Sequence, residues 1–228
     1  TVYSDLGDKT KAQEYFLQAL QLEQKLGNQV RQTTLLTNLG LTYAAQGETG
    51  KAVGYYQEAL QLNQKTANPQ TQAHLLHSLA DVYFASGENQ KALDHYQQAL
   101  RLWQETQDTR AEASTLTAMG LLYTLFGESQ KALTTFQMAL KFQQEIGDKR
   151  GEAITRQRIG SVFLNLRDGE QAARNYQPAL DLARQSGDQS LQAQILNNLG
   201  AAELVRGAYP QAVPLLEQAL EIRRAIKD

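Results

Sequence analysis

Apolar and small residues return along this chain at two spacings: three or four residues within a segment, and 40 residues between segments. Leu36, Leu39, Gly40 and Tyr43 fall on one face of a helix, and Ala52, Tyr56, Ala59 and Leu60 on one face of the next. The pair Ala-Leu recurs at Ala19-Leu20, Ala59-Leu60, Ala99-Leu100, Ala139-Leu140, Ala179-Leu180 and Ala219-Leu220. A small residue keeps the same beat at Gly40, Ala80, Gly120, Gly160 and Gly200. Aromatics keep it at Tyr3, Tyr43, Tyr83, Tyr123 and Phe163, and again at Phe16, Tyr56, Tyr96, Phe136 and Tyr176. Each unit therefore reads as two helices: small residues let the backbones approach where they cross, and the rings of the Tyr43 column fill the space beside them.

The turns carry their own chemistry. Gly7, Gly47, Gly87, Gly127 and Gly207 supply a left-handed residue to end each first helix, and Glu48 follows where a negative charge suits the next helix's N-terminus. Asn28, Asn68, Asp108, Asp148 and Asp188 are placed as N-caps, with Pro69 reinforcing one break. The units run as a partial repeat over 1–28, then 29–68, 69–108, 109–148, 149–188 and 189–228. The opening Thr1, Val2 and Tyr3 align with Leu41, Thr42 and Tyr43, an incomplete hairpin, and Asp228 aligns with the caps. The fifth unit departs from the pattern. Arg167 stands in the glycine column with Gly169 two residues late, so its turn is either built differently or strains Arg167. Pro178 falls inside its second helix, where a kink is expected, and Pro214 loosens the start opened by Pro210.

Composition narrows the functional classes. The 228 residues are 42% hydrophobic and 20% charged with a formal net charge of -2, enough apolar matter for a core and no global positive field to draw nucleic acid or anionic lipid. No apolar run approaches the length of a membrane helix. Cysteine is absent, which excludes disulfides and thiolate metal sites and leaves the compartment open, with the cytoplasm favoured. There is no glycine-rich phosphate loop and no nucleophile with an oriented base, so neither an enzyme nor a cofactor is expected.

The order Leu36, Leu39, Gly40, Tyr43, Ala52, Tyr56, Ala59 resembles the tetratricopeptide repeat, its usual unit of about 34 residues lengthened here by 6. The segments GDKRGEAITRQRIGSVF and GETGKAVGYYQEALQLNQK are similar to the longer repeats of cell-polarity adaptors, kinesin light chains and bacterial multi-repeat arrays. The resemblance implies an all-α fold, a right-handed superhelical α-solenoid of antiparallel helix pairs whose first helices line a concave face. Its implied job is to hold a peptide or partner domain. The rival is an assembly segment, self-associating or stacking end to end within a larger signalling protein through Phe16 and Leu20 at one end and Val213, Leu216 and Leu220 at the other.

On the resemblance, the peptide-binding candidates are Thr34, Thr37 and Asn38, then His74, His77 and Asp81, then Thr117, then Gln157 and Arg158, and finally Gln194, Asn197 and Asn198. Asn38 and Asn198 resemble groove asparagines that clamp a peptide backbone, since an amide gives and takes a hydrogen bond at once. Ser78, Ala118 and Arg158 interrupt that column. His74, His77 and Asp81 share one helix face and could be zinc ligands; polar groove residues are the plainer reading, and no metal is expected for want of a fourth ligand. His95 reads as a surface or contact residue, and Trp103 as partly exposed, an anchor for a partner on the outer face.

Overall fold

The computed structural model describes residues 9–226, with side chains from residue 11 onward. Tyr3, Gly7, the incomplete hairpin at Thr1, Val2 and Tyr3, and Asp228 lie outside the described residues. Eleven helices are present among the described residues: α1 (Lys9–Leu26), α2 (Gln29–Ala44), α3 (Thr49–Thr66), α4 (Pro69–Ala85), α5 (Asn89–Thr106), α6 (Thr109–Leu125), α7 (Ser129–Glu145), α8 (Lys149–Asn165), α9 (Gly169–Gln185), α10 (Gln189–Val205) and α11 (Tyr209–Ile226). They fall into two compact units, Thr1–Asp108 with α1 to α5 and Thr109–Asp228 with α6 to α11.

In the first unit α2 packs on α3 and α4 on α5 as hairpins; in the second, α6 packs on α7, α8 on α9 and α10 on α11. First helices also touch one another, α2 with α4 in one unit and α6 with α8 and α8 with α10 in the other. The small-residue column explains the closeness of each hairpin. A Cβ built on Gly120 would meet the Phe136 ring at 2.5 Å, one on Gly160 the Tyr176 ring at 2.6 Å, and one on Gly40 the Tyr56 ring at 2.8 Å. It is therefore the second-helix aromatic that fills the crossing, whereas the Tyr43 column was expected there. Tyr56, Tyr96, Phe136 and Tyr176 are all fully buried, each contributing roughly 1.5–3 kcal/mol by removal from water.

The Tyr43 column has another role. The lysine three residues after each turn glutamate pairs with that glutamate and lies over the ring. Lys51 Nζ is 2.6 Å from Glu48 and 4.9 Å from the Tyr43 centroid, and Lys91 and Lys131 repeat this over Tyr83 and Tyr123. Glu48 makes no side-chain capping hydrogen bond. Its hydrogen bond to Lys51 raises the lysine's pKa. Capping falls instead to Asn28, Asn68, Asp148 and Asp188, whose side chains accept from the backbone N–H of Arg31, Thr71, Gly151 and Leu191, and also to Asp168, which accepts from Gln171.

The fifth unit keeps the common turn. Gly47 sits at φ +75° and Arg167 at φ +61°. The Asp168 N–H donates to Phe163 O at 2.9 Å, as the Glu48 N–H does to Tyr43 O at 3.0 Å. Arg167 thus bears the strain that glycine avoids elsewhere. Gly169 is buried at the start of α9, where an added Cβ would stand 2.7 Å from Ala202 O on α10. That close approach, rather than a displaced turn, accounts for it. Helix α9 runs unbroken through Pro178, and α11 includes both Pro210 and Pro214.

Candidate functional site

In the first unit the first helices α2 and α4 stand side by side, and the residues between their packed columns open on a cavity of about 440 Å³. Thr34, Thr37 and Asn38 line it from α2, and His74 and Ser78 from α4. Val30, Thr33, Thr71 and Leu75 complete these walls, with Asn63 and Thr66 from α3 and the cap Asn68. Asp81 lines a second cavity of about 410 Å³ with Leu41, Ser78, Val82 and the Tyr56 ring. The lining of the first cavity contains no Asp, Glu, Lys or Arg. The three threonines of α2 are already committed as donors: Thr33, Thr34 and Thr37 give their hydroxyl protons to Gln29 O, Val30 O and Thr33 O at 3.0, 3.1 and 2.7 Å. Their lone pairs are left to accept.

The histidine pair does not converge. The His74 ring stands edge-on to Trp103, with centroids 4.5 Å apart. His77 turns to Asp81, Nε2 to Oδ2 at 3.8 Å, and stands edge-on to Tyr96 at 5.1 Å. Burial lowers the His77 pKa from its ordinary 6.5, with the Asp81 charge opposing. The Tyr96 hydroxyl donates to Asp81, and burial pushes its own pKa upward. Burial likewise pushes Tyr56 up to about 12. Among the described residues no group of three or more metal-ligating side chains is found.

One expectation is corrected here. Trp103 is buried, 1% exposed. It turns inward from α5 against His74 of α4 and offers no outer anchor. His95 is half-buried, hydrogen-bonded through Nδ1 to Lys91 O at 2.7 Å and tilted against Tyr83.

In the second unit Thr117 is held inside the fold. Its hydroxyl donates to Ala113 O, lies 3.2 Å from the Thr155 hydroxyl and accepts from Gln143 Nε2 at 3.4 Å. Gln157 is buried, and Arg158 is half-buried with an Nε that has no hydrogen-bond partner. Gln194 and Asn197 are exposed on α10 and Asn198 is half-buried. At the far face of α11, Val213 and Leu220 are 54% and 48% exposed, while Leu216 packs against Gly200. In α1, Leu20 is buried and Phe16 half-buried.

Asn63 and Thr66 are among the residues missed at the sequence level. They belong to a second helix, yet they form part of the cavity lining. Asn63 is buried at 2% exposure, donating from Nδ2 to Asn68 O at 2.9 Å and accepting from Thr66 at 3.1 Å. The signal was a polar column at the end of the second helices, Glu23, Asn63, Gln143 and Arg223, broken by Trp103 and Ala183.

Helical hairpins repeated in tandem, with variable polar positions on the first helices of a conserved packing frame, define the class of α-solenoid interaction scaffolds. The tetratricopeptide repeat family model matches residues 1–65, 71–145 and 152–225, and the chain belongs to that family. No curated protein sequence matches it. Among solved structures it is similar to BtubC (BKLC) from P. vanneervenii, at 20% identity and a TM-score of 0.86, covering 96% of this chain and 92% of that one. It is also similar to a signal transduction ATPase with a tetratricopeptide repeat sensor from Pyrococcus horikoshii, at 17% identity and a TM-score of 0.85, covering 97% of this chain and 35% of the other. A Rap protein complexed with competence and sporulation factor is 18% identical with a TM-score of 0.73, covering 87% of this chain and 56% of that one. At these identities the likeness is one of fold. Among the described residues no helix is long and apolar enough to cross a membrane.

Proposed function

We propose that the chain is a non-catalytic scaffold that binds a peptide or a partner domain along its first helices. The observation that carries this reading is the neutral cavity between α2 and α4, lined by Thr34, Thr37, Asn38, His74 and Ser78. It has the size of a small-molecule or side-chain pocket, within the usual range of roughly 300–1,000 Å³, and offers acceptors and an amide rather than a charge. An extended peptide suits such a surface because its backbone donates and accepts at fixed intervals. Asn38 and Asn198 are both half-buried and, among the described residues, make no side-chain hydrogen bond that would occupy them. The solved Rap complex, which holds competence and sporulation factor, is a precedent for ligand binding on this fold.

The test is a set of alanine variants at Asn38, Arg158 and Asn198. A partner captured by the parent chain should bind the triple variant at least about tenfold more weakly, with an unchanged melting temperature. A triple variant that binds every confirmed partner as well as the parent does refutes the groove.

A second reading, assembly through the last hairpin, is supported by the exposure of Val213 and Leu220 on α11. Their counterparts Leu93, Leu133 and Leu180 are buried. Leu216 and Leu20 are poor handles for testing it, being packed inside their own hairpins. Val213→Glu with Leu220→Glu should abolish any concentration-dependent sedimentation, and a strict monomer before substitution removes the idea.

A further inference from the structure

The column of Asn63 changes size from one hairpin to the next, and the column facing it changes in step. In the α4–α5 hairpin the pair is His74 and Trp103, ring against ring, with the indole 1% exposed. In the α2–α3 hairpin the corresponding residues are Thr34 and Asn63. A hydroxyl and an amide replace an imidazole and an indole, and the cavity of about 440 Å³ opens beside them. The chain therefore carries, one repeat further on, its own example of what fits such a place.

We infer that this cavity takes an uncharged aromatic side chain of indole size with an N–H donor, supplied by the bound peptide; the inference rests on the groove reading above. The chemistry of the walls selects this group. With no ionisable side chain other than His74 in the lining, a charged guest would lose its hydration without gaining a counter-ion. The hydroxyl oxygens of Thr33, Thr34 and Thr37 have spent their protons on helix carbonyls and face a guest as acceptors. An aliphatic guest would leave those acceptors unanswered, whereas an indole N–H answers one. Val30 gives the ring apolar contact, and His74 gives it an aromatic neighbour.

The probe is N-acetyl-tryptophanamide, uncharged and blocked at both ends, with N-acetyl-leucinamide and N-acetyl-argininamide as controls. Binding is read by saturation-transfer NMR and by amide shift changes in the full chain. The tryptophan probe should bind, should outcompete both controls, and should shift amides of α2 and α4 around Thr33, Thr37 and Ser78. The double variant Thr34→His with Asn63→Trp rebuilds the natural His74–Trp103 pair inside the cavity and should weaken the probe by at least about tenfold. Equal response to the three probes, undiminished binding by the filled variant, or shifts centred away from α2 and α4 would each overturn the inference. The shift map uses the unaltered chain, so it decides the matter even if the filled variant folds poorly. Loss of partner in the alanine variants together with an indifferent tryptophan probe would leave the groove standing and remove only its aromatic specificity.

Discussion

Arg167 is the clearest place to put a number on the logic of the turns. It holds φ +61° in a position that glycine takes in four sister turns at +74° to +78° among the described residues. The left-handed conformation costs an L-residue roughly 1–2 kcal/mol through crowding of its Cβ against the following carbonyl. Replacing it by glycine returns that energy, less about 0.4–1 kcal/mol for the greater freedom of glycine in the unfolded chain. The Arg167 side chain is exposed and, among the described residues, makes no ion pair, so little else changes. Arg167→Gly is expected to stabilise the protein by about 0.5–1 kcal/mol, a rise of about 1–4 °C in melting temperature for a chain of this size. The mirror variant is Gly127→Ala. Its added Cβ meets nothing within 4 Å, so the cost is that of φ +74° alone, and the midpoint should fall by a similar amount. Urea unfolding followed by circular dichroism measures both, with the slope unchanged. Hydrogen exchange should place the gain in α8 and α9, because repeat stacks respond locally. A midpoint that fails to rise in Arg167→Gly while falling in Gly127→Ala would show that the arginine's conformation is not strained, and the reasoning would be wrong.

Two further predictions concern the first unit. Trp103 is the chain's one tryptophan, so the burial of its indole predicts a blue-shifted emission that iodide quenches poorly; ready quenching in the native state would contradict that burial. His77 has a folded pKa below 6.5 because burial disfavours its charge, so the stability it contributes is present above that value and is lost as pH falls through the lowered one. Between about pH 7 and pH 5 the stability of the parent should therefore fall more steeply than that of His77→Gln, and parallel curves would refute the assignment.

Much of the fold could be read from columns because each column has one dominant physical demand. The residue at Gly40, Gly120 and Gly160 must be small since an aromatic ring lies within 3 Å of any Cβ placed there, and the ring must be large since it fills that crossing. Such demands are satisfied by few residues and so leave a periodic trace. The aromatic that meets the glycine was harder to assign, because Tyr43 and Tyr56 keep the same beat and both are compatible with a helix face. Only the packing separates them. Tyr56 goes under the crossing; Tyr43 goes under a lysine that is tied to Glu48. Gly169 looked like a late turn residue for a similar reason, as a glycine does not announce whether it is needed for its dihedral angle or for the approach of another backbone, here Ala202 O.

The candidate site was legible on the first helices and not on the second. Thr34, Thr37, Asn38, His74 and Ser78 could be reached by projecting one face of a helix, and they do line one cavity. Gln157 sits at the same register as Thr37 and His77 yet is buried, because register fixes direction and not depth. Asn63 was passed over because its column looked like solvent-facing polar variation, Glu23, Asn63, Gln143 and Arg223. Trp103 in that column was the clue. A tryptophan among polar residues at one helical register means that the register faces something able to bury it, and the polar members then face the same interior. Asn63 and Gln143 bear this out: both are buried, one bonded to Asn68 O and the other reaching Thr117. The indole of Trp103 shows that the fold leaves a ring-sized space at this register and fills it from within in one repeat. With Asn63 in that register and Thr34 opposite, the space is left for a guest.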